Sequence, residues 1–421
     1  MGTGKRAGIF FAGILLSLAL WGCGKADLPG KVPGTFAMVT AGTVPEGKKP
    51  SERPEACSPP EEQTEQEGSS PSFLSRDASM YVYNSLTDME RVWYRDIEEI
   101  LGTFGTERKI SGVCLRNGLD DSDIDRIFQY VLDDHPELFY VEGYSYVKYT
   151  RGDKTTSIVF SGSYSMDYDT AVERRAEIEA AADEILARIP EDASDYEKVK
   201  AVYETLIRDT EYQLDAPDDQ NIYSVFVNHA SVCQGYAKAL QYLLERLGIE
   251  CTLVQGTVDT GEMHAWNLVQ LEDGYYYVDA TWGDASYRFC DGGEDVPDYG
   301  IPEINYDYLC VTTAELTRTH ALSGLLPMPL CDATENNYYV KEDAFFLKYD
   351  KEQMAGVFRR AAEQGRKDVA VKCADGECYQ EMISAMIFGQ EIFDYLPGKD
   401  GKVAYAQNDD QLSLTFWVTN E

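Results

Sequence analysis

Ser231-Val232-Cys233-Gln234-Gly235-Tyr236-Ala237-Lys238-Ala239-Leu240 is the stretch from which the fold can be read. Tyr236, Ala239, Leu240, Leu243, Leu244 and Leu247 recur at helical spacing up to Gly248, the expected C-cap, so a helix opens at Cys233. In the first turn, exposed N–H groups and the positive end of the helix dipole favour thiolate over thiol. Taken alone, a free cysteine is more often a small buried hydrophobe than a nucleophile.

The residues that follow give Cys233 its context. Cys251 to Val258 reads as a strand, and His264-Ala265-Trp266-Asn267-Leu268-Val269, the turn signal Asp273-Gly274 and Tyr275-Tyr276-Tyr277-Val278-Asp279 read as a hairpin. A two-residue turn at Asp273-Gly274 sets His264 opposite position 283. Asp279 lies an even number of residues from there, so both side chains emerge on one face. Bringing them level needs a wider turn or bulge near Leu271 and Glu272. A cysteine at a helix start, with a histidine and an aspartate on paired strands, fits a nucleophile, a base and an orienting acid.

These segments, with Val278-Asp279-Ala280-Thr281-Trp282-Gly283-Asp284, resemble the transglutaminase-like superfamily, and more narrowly its bacterial, often exported branch. The likeness runs over roughly 194–322; Asp134-His135-Pro136-Glu137-Leu138-Phe139-Tyr140 and Thr319-His320 also look like segments of such proteins. The resemblance implies a papain-like α+β core with Cys233 as nucleophile, His264 as base and Asp279 as orienter. It departs at His229, where a small residue is usual. It further implies an acyl-thioester formed from a glutamine side chain or peptide bond of a protein or peptide substrate, with no cofactor. An amine acceptor gives transfer and water gives hydrolysis; the residues leave both open.

The backbone N–H of Cys233 is one expected oxyanion donor, and Asn228 a candidate for the second, against a plain polar loop residue. Trp266 and Trp282 either line the cleft and shield the pair from water or pack the core. His135 before Pro136 reads as the end of a helix, and His320 either lines the cleft or, the reading preferred, is a loop histidine. His135, His229 and His320 are scattered, with no His–Cys spacing suggesting zinc, so no metal is expected. G-x-S-x-G, H-E-x-x-H and P-loop motifs are absent.

Outward from this core the chain divides. Lys5 and Arg6 precede an apolar run from Ala7 to Gly22, shorter than the roughly 20 residues of a comfortable membrane span, as in a secretory signal. Leu20-Trp21-Gly22-Cys23 resembles a bacterial lipobox, so residues 1–22 read as a lipoprotein signal peptide and Cys23 as the lipidated residue. Trp21 is unusual there, and a plain signal peptide or uncleaved anchor is the alternative. The expected location is the outer face of a bacterial cytoplasmic membrane, held by that lipid. Residues 23–76, rich in proline and poor in apolar side chains, read as a disordered tether.

Residues 77–190 read as an accessory α+β region. It holds a helix capped by Thr87-Asp88-Met89-Glu90, a second with the stripe Ile124, Ile127, Phe128, Val131 and Leu132, a hairpin turning at Gly152-Asp153, and a helix at 168–188. The catalytic unit is placed at 191–330, its first helix opened by the capping box Ser194 to Glu197. Residues 331–421 read as a small C-terminal α/β domain, with strands at Tyr338-Tyr339-Val340, Ala344–Leu347 and Val369–Lys372, and helices near Lys351–Gln364 and Tyr379–Phe388. Cys373 and Cys378 either close a small disulfide loop or stay free.

Composition sets the outer limits. Against 73 Asp+Glu stand 37 Lys+Arg, a net charge of −36 over 421 residues. That excludes tight nucleic-acid binding, which rests on neutralising phosphates. Apolar residues at 44% support folded cores and exclude a wholly disordered chain. The class that competes with an enzyme is a surface binding or scaffolding lipoprotein with a vestigial triad.

Overall fold

The computed structural model describes residues 73–74, 80–284, 302–324, 326–395 and 402–419, with the backbone of two short extended pieces at Ile9–Phe10 and Leu16–Ser17. The expected lipidation site, Cys23, and the tether up to residue 72 lie outside the described residues. No helix among those described is long and apolar enough to cross a membrane.

The accessory region begins with α1 (Asp88–Gly102), opened by Thr87, which accepts from the Glu90 N–H while Glu90 accepts from that of Thr87. Its stripe Trp93, Ile97 and Leu101 packs on Ile124, Ile127 and Val131 of α2 (Asp123–Asp134), and all six are fully buried. The hairpin β1 (Val141–Arg151) and β2 (Lys154–Tyr164) turns at Gly152, whose φ of +63° suits glycine. Helix α3 (Tyr168–Leu186) follows.

Asp133 ties this region to the rest. Its carbonyl accepts from Gln241 Nε2 at 2.9 Å and its carboxylate from Gln255 Nε2 at 3.1 Å. Asp134 accepts from the N–H groups of Val82 and Tyr83 and from the Tyr94 hydroxyl. His135, the residue that ends α2, bridges Glu98 and Glu137 at 3.0 and 3.1 Å; burial opposes its charge, but the two carboxylates outweigh it and raise its pKa to about 10. The Asp-His-Pro-Glu segment is therefore a buried polar joint.

Burial pushes the Asp133 carboxyl up to about 7 and the nearby Lys238 ammonium down to about 8. A carboxyl with a raised folded pKa contributes stability fully present below its unfolded value, near 4, and lost as pH rises to about 7. Calorimetric melts of the wild type at pH 5 and pH 8 are expected to differ more than those of Asp133→Asn. Equal differences in the two proteins would remove Asp133 as the cause.

Two helices, α4 (Asp195–Asp209) and α5 (Cys233–Arg246), and an antiparallel sheet in the order β5-β4-β3-β6 make the core: β3 is Cys251–Val258, β4 Met263–Leu271, β5 Gly274–Val278 and β6 His320–Leu322. The Ser194 capping box opens α4. Leu253 and Ala265 on one sheet face cluster with Cys233 and Ala237 of α5, and Asn267 Nδ2 donates to the Ala237 carbonyl at 2.9 Å. Val254, Trp266, Leu268 and Tyr277 form a second cluster with Val311, Leu316 and Cys331.

Gly235, two residues into α5, is required by close approach. A Cβ there would lie 2.0 Å from Ser231 Oγ and 3.0 Å from the Asp219 carbonyl. Gly256 on β3 is as confined, with a Cβ falling 2.1 Å from the Ala321 carbonyl of β6 and 2.6 Å from the Trp266 ring. Gly256→Ala is expected to push β6 off β3 and destabilise the fold by about 1–3 kcal/mol, seen as a lower melting temperature. An unchanged melting temperature would refute the stated packing.

The C-terminal unit is a four-stranded mixed sheet. Phe345–Phe346 runs parallel to β7 (Asp368–Cys373), and β9 (Ser413–Thr419) pairs antiparallel with both β7 and β8 (Lys402–Asn408). Helices α6 (Lys351–Glu363) and α7 (Gly376–Ile383) accompany it. The expected strand at Tyr338-Tyr339-Val340 is instead a short helix, Tyr338–Lys341: Asn337 accepts from the Tyr339 N–H and caps it, and Tyr338 stacks on Tyr306 at 3.8 Å. Cys373 and Cys378 are free thiols, so no disulfide closes their loop. Buried Asp307 accepts from Tyr339, Asn408 and Ser413, and buried Lys372 pairs with Glu315 at 3.0 Å, joining this unit to the core.

Candidate active site

The hairpin β4–β5 turns one residue earlier than expected, at Glu272-Asp273, with Leu271 facing Gly274 and Asn267 facing Val278. Gly274 supports this with a φ of +155°. Moving a turn by one residue changes the partner of every position by two, so the parity of His264 and Asp279 survives. Their side chains meet: His264 Nε2 and Asp279 Oδ2 are 2.7 Å apart, and both residues are buried.

Asp279 is held from every side. It is the N-cap of the one-turn helix Ala280–Gly283, and its Oδ1 accepts from the N–H groups of Thr281 and Trp282 at 2.9 and 3.0 Å. Its Oδ2 also meets Nε2 of His320 at 3.1 Å. Burial acts to raise this carboxyl, but His264 and then His320 outweigh it and hold the group well below the usual carboxylate range. The contact with Asp279 is made through Nε2 of His264, not through Nδ1.

Cys233 opens α5 as the sequence predicts, with extended Val232 as its N-cap. It is buried and packs with Ala265, the chain neighbour of His264, and with Ala237 and Leu253. Tyr212 closes over the same cluster. Cys233 is disulfide-bonded in this structure, so its thiolate becomes available on reduction. Cys251, by contrast, is a free thiol that burial pushes well above its ordinary pKa.

Asn228, the candidate second oxyanion donor, is anchored away from the His264–Asp279 pair. The residue is exposed at the end of a π-turn, Ser224–Asn228, and its Nδ2 donates to the Pro217 carbonyl at 3.0 Å, which ties down the loop. His229 adopts φ +54° next to it, is exposed, and contacts the Asp209 carbonyl through Nδ1. Trp266 is fully buried with its ring nearly parallel to His264 at 5.9 Å, and Trp282, 8% exposed, lies 6.1 Å from the same imidazole. Both enclose His264.

His320 is not a loop residue. It starts β6, opposite Val258, and is buried. Among the described residues, His264, Asp279 and His320 are the group whose ligand atoms, within 4.8 Å of one another, could hold a metal ion. Hydrogen bonds within the group already engage the three atoms concerned.

A family model described as the transglutaminase-like superfamily matches residues 180–280, a stretch that contains Cys233, His264 and Asp279. The match at residues 180–280 is to a transglutaminase-like domain. Kyphoscoliosis peptidase of Mus musculus is 26% identical to this chain over 123 residues, 25% of this chain and 19% of the relative. The chain thus spans about a fifth of that relative's length. Two solved structures are also similar. A TGase is 15% identical, covering 39% of this chain and 48% of that one, with a TM-score of 0.25. The periplasmic domain of TgpA from Pseudomonas aeruginosa is 20% identical, covering 34% and 61%, with a TM-score of 0.22. β6 with His320 lies beyond residue 280, where the family-model match ends.

Proposed function

We propose that the chain is a cysteine enzyme acting on carboxamide or peptide bonds of proteins or peptides through an acyl-thioester. The observation that carries this reading is the buried 2.7 Å contact between His264 and Asp279, within the matched stretch that also contains Cys233 at a helix start. The reduced Cys233 sulfur attacks the carbonyl carbon and a C–S bond forms, while negative charge gathers on oxygen near the N–H of Cys233. His264, through Nδ1, protonates the departing nitrogen as the C–N bond breaks. It then takes a proton from the incoming water or amine, which displaces the sulfur and regenerates the thiol. Asp279 keeps the imidazole in the required tautomer and stabilises its cation.

The deciding experiment incubates reduced protein with a glutamine-containing peptide, quenches in acid and weighs the intact chain. A thioester on Cys233, at the mass of the peptide less ammonia, supports the reading; its absence under turnover sinks it. Adding a primary amine separates transfer from hydrolysis. We also propose that the chain is exported and held at a bacterial cell surface by a lipid on Cys23. Cys23→Ala is then expected to lose incorporation of radiolabelled fatty acid, and retained label would refute the anchor.

A further inference from the structure

His320 contributes nothing to the three-residue mechanism above, yet its position is specified on all sides. Nε2 faces Asp279 Oδ2, the same oxygen that His264 uses. On the other edge, Nδ1 lies 2.9 Å from Thr319 Oγ1, which lies 3.1 Å from the Tyr308 hydroxyl. Trp266, Trp282 and Tyr308 surround the ring at centroid distances of 5.0, 4.7 and 5.4 Å. Facing a carboxylate oxygen, Nε2 carries a proton and donates it to Asp279; when the ring is neutral, Nδ1 accepts from Thr319, which can accept from Tyr308 in turn. Burial lowers the pKa of His320 against the pull of Asp279, which favours the neutral ring.

We propose that His320 is a positioning residue for the same catalytic group: by donating to the Asp279 oxygen that meets His264, it sets how strongly that carboxylate holds the His264 proton. The inference rests on the nucleophile–base reading and assigns a fourth side chain to it. Two donors on one oxygen divide its negative charge. With both present, the charge that Asp279 offers His264 is shared with a second donor on the same oxygen. The other titratable groups acting on this cluster are Asp259, which acts on His320; Tyr203, which acts on Asp279; Tyr308; and Cys233, packed beside Ala265.

The test follows the rate of iodoacetamide labelling of reduced Cys233 against pH, a readout that needs neither substrate nor turnover. Removing the donor with His320→Phe concentrates charge on the oxygen facing His264. The imidazolium then persists to higher pH, and the alkaline limb of the profile moves up by roughly half a unit or more. His320→Gln, whose amide reaches the Nε2 position, returns the limb toward the wild type. His320→Asn keeps a polar side chain near Thr319 but withdraws from Asp279; it moves the limb as Phe does and serves where Phe does not fold. Folded Phe or Asn variants with the limb in its wild-type place would overturn the role of His320. Wild-type Cys233 labelling no faster than Cys251 would instead overturn the nucleophile reading beneath it.

Discussion

Asp279→Asn is expected to lower kcat by about 10⁴-fold while leaving peptide binding nearly intact, because an amide cannot hold the imidazole in the tautomer that puts its reacting proton on Nδ1. The same change has a structural cost. The carboxylate caps Ala280–Gly283 through two N–H groups and meets two buried imidazoles, and its replacement removes the only negative charge hydrogen-bonded to that pair among the described residues. Breaking such a buried group typically destabilises by about 3–5 kcal/mol. The pH dependence has a definite sign. A carboxyl held far below its unfolded value contributes stability that is present above about pH 4 and lost as pH falls toward the folded value. Melting temperatures of the wild type and Asp279→Asn should therefore differ most near neutrality and converge in acid. A gap that widens below pH 4 would show that Asp279 is not ionised in the native state.

How much of this was legible in the sequence depends on whether the determinant is local. Helix α5 was readable because its apolar stripe and terminal Gly248 are written in consecutive residues, and Gly248 indeed takes φ +77°. The meeting of His264 and Asp279 was readable although the turn was misplaced by one residue, since parity tolerates that error. The helix at Tyr338–Lys341 was not, because two tyrosines and a valine favour a strand and only the Asn337 cap and the stacking on Tyr306 favour a helix. Proximity in sequence also says nothing about aim: Asn228 lies five residues before Cys233, yet its amide faces Pro217. His320 could be read as a cleft residue but not as a partner of Asp279, for a different reason. It joins the site from a strand 41 residues beyond Asp279, and no spacing rule links a β-bridge to Val258 with a hydrogen bond to that carboxylate.

Cys233→Ala is expected to abolish thioester formation and reduce turnover by about 10⁶-fold, the scale on which losing a nucleophile is felt when its partners act as a unit. The fold should survive. Cys233 is packed among Ala237, Leu253 and Ala265, surroundings that accept an alanine with one atom fewer, and the comparison is made with the reduced wild type so that its disulfide is open in both proteins. That separation of chemistry from stability gives the variant its value. A scaffolding protein needs the surface and not the sulfur, so complementation by Cys233→Ala at the wild-type level would establish the binding reading, whereas failure by a folded Cys233→Ala protein establishes the chemical one. The redox state supplies an independent check on the same residue. Because the sulfur is disulfide-bonded in this structure, iodoacetamide should leave it unlabelled until a dithiol reductant is added, and thereafter label it ahead of Cys251, whose thiol is kept protonated by burial in an apolar site. Labelling of Cys251 first, under reducing conditions, would mean that the helix start confers no activation on Cys233, and the proposed mechanism would lose its nucleophile.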